Sequence, residues 1–449
     1  MIKPLLLTKI MSYPSMFFEN IVSLLKKNSK IVLAFSGGLD STVLLHCLYL
    51  CTKKYPESNI RAIHVNHSLN ENSNNWANHC REICFKWEID CRILNVKIKK
   101  NPKQGIEANA RKERYNALIS SLQNQEVLLT AHHLDDQCET LLLALKRGSG
   151  PAGLSAIHSS IVVGKNKILR PFLEFSRKSI EEYAKKHDLT WIEDDSNSNI
   201  NFDRNFLRHS VLPKILYKWP NFTKTVSRSC LLCKEQERLI DELLLNQLNN
   251  LIQNNGSLYL IPLLKMSNIK IYALLRRWIS RRGELMPSYK LLKLIYHKII
   301  LGTDAKPCLQ IGRYEIRRYC HYLYCLPIIK SSIKNIKMIW PNINNILLLP
   351  EKLGFLQADY NNNSLRLPMS HELVSIQFYA RGDFYLVGYK NKLKIKKIWQ
   401  KFNIPPWERN RIPLIYYNDN LISAVNLFIT NDGLIPNNKY GWQVLWNKK

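Results

Sequence analysis

Long apolar runs are missing from this 449-residue chain. No segment reaches the roughly 18 apolar residues of a membrane span. The N-terminus holds only Leu5-Leu-Leu7, too short for the apolar core of a secretory signal. These absences predict a soluble, cytoplasmic protein with no membrane partner, starting at Met1 or Met11. Acidic residues are scarce as well, with 35 Asp plus Glu against 65 Lys plus Arg, a formal charge of +30. Such a surplus attracts a polyanion and steers it over a Debye length, which makes nucleic acid the first candidate partner. Part of the basicity reflects a chain heavy in Ile, Asn and Lys, as in Asn342-Ile-Asn-Asn345 and Asn361-Asn-Asn363. The 11 cysteines form no disulfide framework, and Cys80/Cys84 and Cys230/Cys233 lack a second pair at zinc-ligand spacing, so reduced, buried thiols are expected. No Gly-x-x-x-x-Gly-Lys-Ser/Thr occurs, which excludes a Walker A loop and its phosphate-binding lysine. No internal repeat is evident.

Present instead is an alternation of short apolar strands and amphipathic helices from about residue 30 to 170. Strands are predicted at Ile31 to Phe35, Ile60 to Val65, Cys91 to Val96 and Val127 to Ala131; helices at Thr42 to Thr52, Ser73 to Trp87, Glu107 to Leu122 and Asp136 to Leu145. This pattern gives βαβ units and an α/β fold with a doubly wound parallel sheet, whose ligand binds beyond the carboxyl ends of the strands. The length allows two or three domains. The expected division is a catalytic domain over 1–220, a mainly helical middle domain over 225–335 and a small α+β domain over 370–449, with an Asn-rich join near 359–364. The middle region opens on a long helix from Val226 to Leu251 and carries Arg276, Arg277, Arg281 and Arg282. From Arg381 to Arg411 there are nine Lys/Arg against two acids, interleaved with Tyr385, Trp399, Phe402 and Trp407. Basic residues beside aromatics suit an RNA backbone and unstacked bases; a solvated charged face is the plain alternative.

Three motifs fall at strand ends. Ser36-Gly37-Gly38-Leu39-Asp40-Ser41 joins the first strand to a helix, where two glycines let the backbone approach an anion and the serines and free N–H groups supply donors. His64-Val-Asn-His67 closes the second strand. Thr130-Ala-His-His-Leu-Asp-Asp-Gln-Cys-Glu-Thr140 closes the fourth and opens a helix that sets Asp136 and Glu139 on one face. Asp40, Asp136 or Glu139 could hold Mg²⁺ or accept a proton from a cationic substrate amine; a capping carboxylate with surface acids is the alternative. Glu107, Arg111 and Arg114 step along another helix, either as a salt-bridge ladder or with the arginines turned toward phosphates. Lys146-Arg147-Gly-Ser-Gly-Pro-Ala-Gly153 combines cations with glycines. Trp191 to Asn197 and Asp203-Arg204-Asn-Phe-Leu-Arg208 suggest no chemistry by themselves.

The series in this order, continued by Arg170-Pro-Phe-Leu and Asp195-Ser-Asn, resembles the tRNA(Ile)-lysidine synthetase family, PP-loop enzymes of the N-type ATP pyrophosphatase kind. The resemblance is dense over about 28–215 and looser beyond; Ser68 and Asp195 depart from the family's usual glycine and proline. It implies ATP and Mg²⁺ as cofactors, and L-lysine and a CAU-anticodon tRNA(Ile) as partners, in a cytoplasmic protein for which a homodimer is one open arrangement. The cytosine C2 oxygen would attack the α-phosphate of ATP, and the lysine ε-amine would then displace AMP. Carried onto this sequence, the catalytic group is Asp40, Asp136, Glu139 and Arg111, with Mg²⁺ on Asp40 and Asp136. The nucleotide would meet Ser36, Gly37, Gly38, Leu39, Asp40, Ser41, His64, His133 and Arg114. The tRNA would meet Lys146, Arg147, Arg204, Arg208, Arg381, Lys390, Arg409 and Arg411. A tRNA thiolation enzyme, for which Cys138 is the one nearby cysteine, and a non-catalytic RNA-binding protein are the alternatives.

Overall fold

The computed structural model describes residues 15–448 apart from 29, 68–70, 97–105, 284–285, 305–306, 330–331, 361–363 and 437–439. Leu5, Met11, Ser68, Gly105 and the asparagines at 361–363 lie outside the described residues, as do the side chains of Glu107 and Asp195. The chain divides into two compact units, 1–246 and 247–449.

The first unit is built on β1 (Lys30–Ala34), β2 (Asn59–Asn66), β3 (Asp90–Asn95), β4 (Val127–Leu129), β5 (Ser160–Val163) and β6 (Asn166–Leu169), in the order β3-β2-β1-β4-β6-β5. Five strands are parallel and β5 runs antiparallel to β6. The expected doubly wound sheet is present, with the helices Leu39–Lys54, Ser73–Lys86, Ile106–Ser120 and Leu134–Lys146 between strands. Its central strand β1 is apolar from Ile31 to Ala34 because both faces are covered there. Ile31, Leu33 and Phe35 pack on one side with Val43, Leu44 and Ile180, whereas Val32 faces Leu118, Leu128 and Ile168 on the other. The helix Ser15–Lys27 and the β5–β6 hairpin, neither anticipated, complete the unit. Phe17 of that helix stacks on Phe175 at 4.0 Å.

The second unit is richer in strands than its sequence suggests. Its helices Asn268–Ser280 and Tyr289–Leu294 are joined by a sheet of order β7-β10-β9-β8, formed by β7 (Leu258–Tyr259), β8 (Cys308–Ile311), β9 (Tyr314–Tyr319) and β10 (Tyr322–Pro327). The join expected near Asp359 is not a domain boundary. Phe355–Asp359 and Leu365–Arg366 both pair with Gly441–Asn447, and Trp340, Leu349 and Leu356 share one core with Ile376, Trp442 and Val444. The last region therefore begins well before residue 370. Nor does it separate from the middle region, since Trp407 meets the rings of Tyr319 and Tyr324 and lies 5.5 Å from the Arg317 guanidinium. Trp399 and Phe402 pack against Phe428, so three of the four interleaved aromatics are packing residues and Tyr385 alone of the four is exposed. The middle arginines are also committed: Arg277 donates to the Ala273 carbonyl, Arg282 to that of Gly256, and Arg281 to Asn249 Oδ1.

Candidate active site

Strand order reverses between β1 and β4, and ligands of such sheets bind in the crevice opened there. A cavity of about 610 Å³ occupies that place, lined by Ser36, Asp40 and Ser41 after β1, His64 in β2 and His67 just after it, and Thr130, His132 and Asp136 after β4. Gly37 takes φ +82°, and a Cβ there would lie 2.7 Å from Ile192 Cδ1 and 2.9 Å from Cys80 Sγ, so only glycine fits without strain. Ser36 and Ser41 share a 2.9 Å hydroxyl contact, and Ser41 Oγ donates to the Gly38 carbonyl at 3.0 Å. Gly38 caps the helix Leu39–Lys54 with no side chain, which leaves the helix-start N–H groups open to an anion. Leu39 contributes backbone only, for its side chain is buried in the core. Ile192, in a segment assigned no chemistry above, buttresses the loop through an N–H bond to the Gly37 carbonyl at 2.9 Å.

The carboxylates are not equivalent. Asp40 Oδ1 is buried with no hydrogen-bond partner, a vacancy that fits a cation, while Oδ2 lies 3.7 Å from His133 Nε2 and 3.9 Å from Arg177 Nη1. Burial raises the Asp40 pKa despite these two neighbours. Asp136 is held the other way: burial would raise its pKa, but protonated His133, Arg204 and the His133 backbone N–H outweigh that and keep it ionised. Its Oδ2 accepts the His133 N–H at 2.9 Å and its Oδ1 lies 3.5 Å from Arg208 Nη2. Glu139 is fully buried, and Arg204 Nε and Arg208 Nε occupy its two oxygens at 2.6 and 2.7 Å. Glu139 is expected among the reacting groups, but it is not in the cavity lining, and each of its oxygens accepts from an arginine, an arrangement that holds Arg204 and Arg208 in place. Arg204 and Arg208, expected to meet the tRNA, line this cavity. The helix Asp203–Phe206 passes into a wide π turn, Leu207–Val211, that presents both guanidinia to one carboxylate.

His133 caps the helix Leu134–Lys146 and is almost wholly buried, behind the cavity lining rather than in it. Burial lowers its pKa, but Asp136, Asp135 and Asp40 more than reverse this and bring it to about 9. Neutral, its Nδ1 accepts the Asp135 N–H at 3.3 Å; protonated, it faces Asp135 Oδ2 at 3.5 Å. Of the adjacent pair it is His132, given less weight from sequence, that lines the cavity. Burial takes it down to about 3, so it is neutral, with Nδ1 2.9 Å from Thr130 Oγ1 and Nε2 accepting from Arg111 Nη2 at 3.2 Å. Arg111 and Arg114 both line the cavity beside the Tyr115 ring, and burial lowers the pKa of each. His64 Nδ1 donates to the Phe35 carbonyl at 3.0 Å.

Other expected contacts lie elsewhere. Lys146 forms an exposed pair with Asp203 at 2.6 Å, and Arg147 is exposed at the end of the same helix. In the second unit Arg381 and Lys390 are exposed, while Arg409 donates to the Ile404 carbonyl at 3.0 Å and Arg411 to that of Glu351 at 3.5 Å. All 11 cysteines are free thiols. Cys138 is fully buried and its pKa is pushed up to about 12, unlike a thiolate poised for sulfur transfer.

A parallel sheet carrying a glycine loop at its switch point, with arginines and carboxylates across the crevice, defines a PP-loop nucleotide-binding domain, and residues 9–215 match the PP-loop domain family. Residues 258–324 match the TilS substrate binding domain and 374–446 the TilS substrate C-terminal domain. A tRNA(Ile)-lysidine synthase of Serratia proteamaculans is 46% identical over 420 residues, 93% of this chain and 96% of that one. Another, of Pectobacterium atrosepticum, is 43% identical over 96% of this chain and 97% of its own length. The chain belongs to the tRNA(Ile)-lysidine synthase family. Among solved structures, a U34-tRNA thiolase of Methanococcus maripaludis with a [4Fe-4S] cluster is 18% identical over 49% of this chain and 79% of that one, with a TM-score of 0.40.

Proposed function

We propose that this protein ligates L-lysine to C2 of the wobble cytidine of a CAU-anticodon tRNA(Ile), consuming ATP and releasing AMP and pyrophosphate. The observation that carries this reading is the meeting of the glycine loop, Asp40, Asp136, Arg111 and Arg114 in one cavity, in a chain similar to lysidine synthases over nearly its whole length. In the first step the cytosine C2 oxygen attacks the α-phosphorus, the bond to the bridging oxygen breaks, and pyrophosphate leaves with the electron pair. Ser36, Ser41 and the N–H groups from Gly38 to Ser41 cradle the phosphates, and Arg111 and Arg114 stabilise charge at the α-phosphoryl group. The bare Asp40 oxygen and Asp136 would hold Mg²⁺, which supplies positive charge to the phosphate oxygens when bound.

In the second step the lysine ε-nitrogen attacks C2, the C2–O bond breaks and AMP leaves. An ammonium with a pKa near 10.4 must first lose a proton. Asp136, ionised and lining the cavity, draws the ammonium in beside the reacting atoms. Glu139 acts through Arg204 and Arg208. The cytosine leaves its stack at a cost of a few kcal/mol, offset by contacts of the tRNA body with the exposed cations of the second unit. The reaction belongs in the cytosol, a reading supported by free thiols throughout and by the lack, among the described residues, of a helix fit to cross a membrane. Production of AMP from ATP tests it: the expected release needs both CAU-anticodon tRNA(Ile) and an intact Asp40, and release without tRNA, or unchanged in Asp40→Asn, would contradict it.

A further inference from the structure

A second cavity of about 530 Å³ lies in the first unit, where the helix Leu134–Lys146, which gives Asp136 to the catalytic cavity, contributes Gln137. The Gln137 amide is spent on the Ile157 backbone, accepting its N–H and donating to its carbonyl, both at 2.7 Å. What remains open is cationic. Arg170 is 9% exposed; one Nη donates to the His158 carbonyl, but its Nε–H is buried with no acceptor. A buried guanidinium donor without a partner is costly and points to a missing acceptor. Arg228 and Lys234, on the helix Phe222–Leu251, stand at the same cavity, against one acid, Glu174. Hydroxyls of Ser159, Ser160 and Ser227 line it too. His158 adds no charge, since burial, Lys234 and Arg170 all lower its pKa.

We propose that this cavity binds a backbone phosphate of the RNA substrate, with Arg170 as its floor and Arg228 and Lys234 at its mouth. The ligand must be an anion with several acceptor oxygens, because the open donors are a guanidinium edge, an ammonium and hydroxyls. An RNA backbone is favoured over a free ion because the mouth is open, with Arg228, Ser159 and Ser160 exposed, and because the chain carries a charge of +30. The phosphate bound here would anchor the tRNA on the other side of the helix that carries Asp136. This assignment rests on the substrate being a tRNA.

The test uses the full chain, after wild-type protein has been checked for lysidine formation, so that failure of the functional reading shows first and separately. Binding of tRNA(Ile) is measured by fluorescence anisotropy across a salt series for wild type, the double variant Arg228→Ala/Lys234→Ala, and Arg170→Gln, with a melting curve for each. Loss of the two cations at this phosphate is expected to weaken binding roughly tenfold at low salt and to lower the slope of log affinity against log salt by about one, leaving KM for ATP unchanged. Arg228 is exposed and Lys234 half-buried, so the double variant remains a readable test even if the Arg170 variant fails to fold. Calorimetric titration with inorganic phosphate forms the second arm. Phosphate binding that the double variant loses, with tRNA affinity and slope intact, would assign the cavity to a free anion and overturn the proposal. So would a double variant that matches wild type in both arms.

Discussion

At the scale of single residues, the loop Ser36 to Ser41 separates two glycines that look alike in sequence. A Cβ on Gly37 would meet Ile192 and Cys80 at under 3.0 Å from a backbone at φ +82°, whereas one on Gly38 meets nothing nearer than 3.6 Å. Gly37→Ala should therefore cost about 1–3 kcal/mol of stability and Gly38→Ala much less. Urea midpoints of the two variants measure the difference, and equal midpoints would contradict the account. His133 supplies a pH test. Its pKa rises from 6.5 to about 9 on folding, so its charge adds stability that is full below pH 6.5 and fades as the pH climbs to about 9. The stability gap between wild type and His133→Asn, followed by denaturant unfolding, should shrink over that window. A gap that stays constant from pH 6 to 10 would mean that the imidazole does not carry the charge.

At the scale of elements, the helix Leu134–Lys146 is held by one carboxylate to two guanidinia, Arg204 on the helix Asp203–Phe206 and Arg208 on the turn Leu207–Val211. Removing Glu139 leaves Arg204 and Arg208, each about a fifth exposed, without their anchor. Breaking a buried pair from one side costs about 3–5 kcal/mol, so Glu139→Ala should lower the melting temperature and abolish turnover together. Glu139→Gln should keep more of the fold and still lose activity as the guanidinia lose their grip. A Glu139→Gln enzyme with wild-type turnover would remove the positioning role. The strands and helices of this half were legible because β1 and β4 have apolar cores, β2 carries Ile60, Ala62, Ile63 and Val65, and each is followed by a glycine, histidine or acid motif. The pairing of Glu139 with Arg204 and Arg208 was not, since a contact 65 residues away leaves no periodic trace. Nor was the choice between His132 and His133, which depends on which side of the backbone each imidazole leaves.

Across the whole molecule, the acid deficit read from composition is spent unevenly. The clustered arginines at 276–282 are largely tied to backbone carbonyls and Asn249, and the aromatics Trp399, Phe402 and Trp407 build packing rather than a stacking surface. Basicity and aromatic content gave the right partner class for reasons that are only partly local. The Asn-rich stretch near Asp359, a linker or a loop by its composition, stands between two strands that pair with a third, and a hydrophilic stretch reads the same in either place. Binding of tRNA should nonetheless weaken steeply with salt, as exposed cations such as Arg381 and Lys390 release counterions, and a salt-independent affinity would be contrary to this. The most direct test of the central claim is mass spectrometry of nucleosides from tRNA(Ile) bearing CAU, after incubation with the protein, ATP, Mg²⁺ and L-lysine. The account predicts that the wobble cytidine gains one lysine, bonded at C2, and that Asp40→Asn gives none; AMP release with an unmodified or sulfur-bearing cytidine would contradict it.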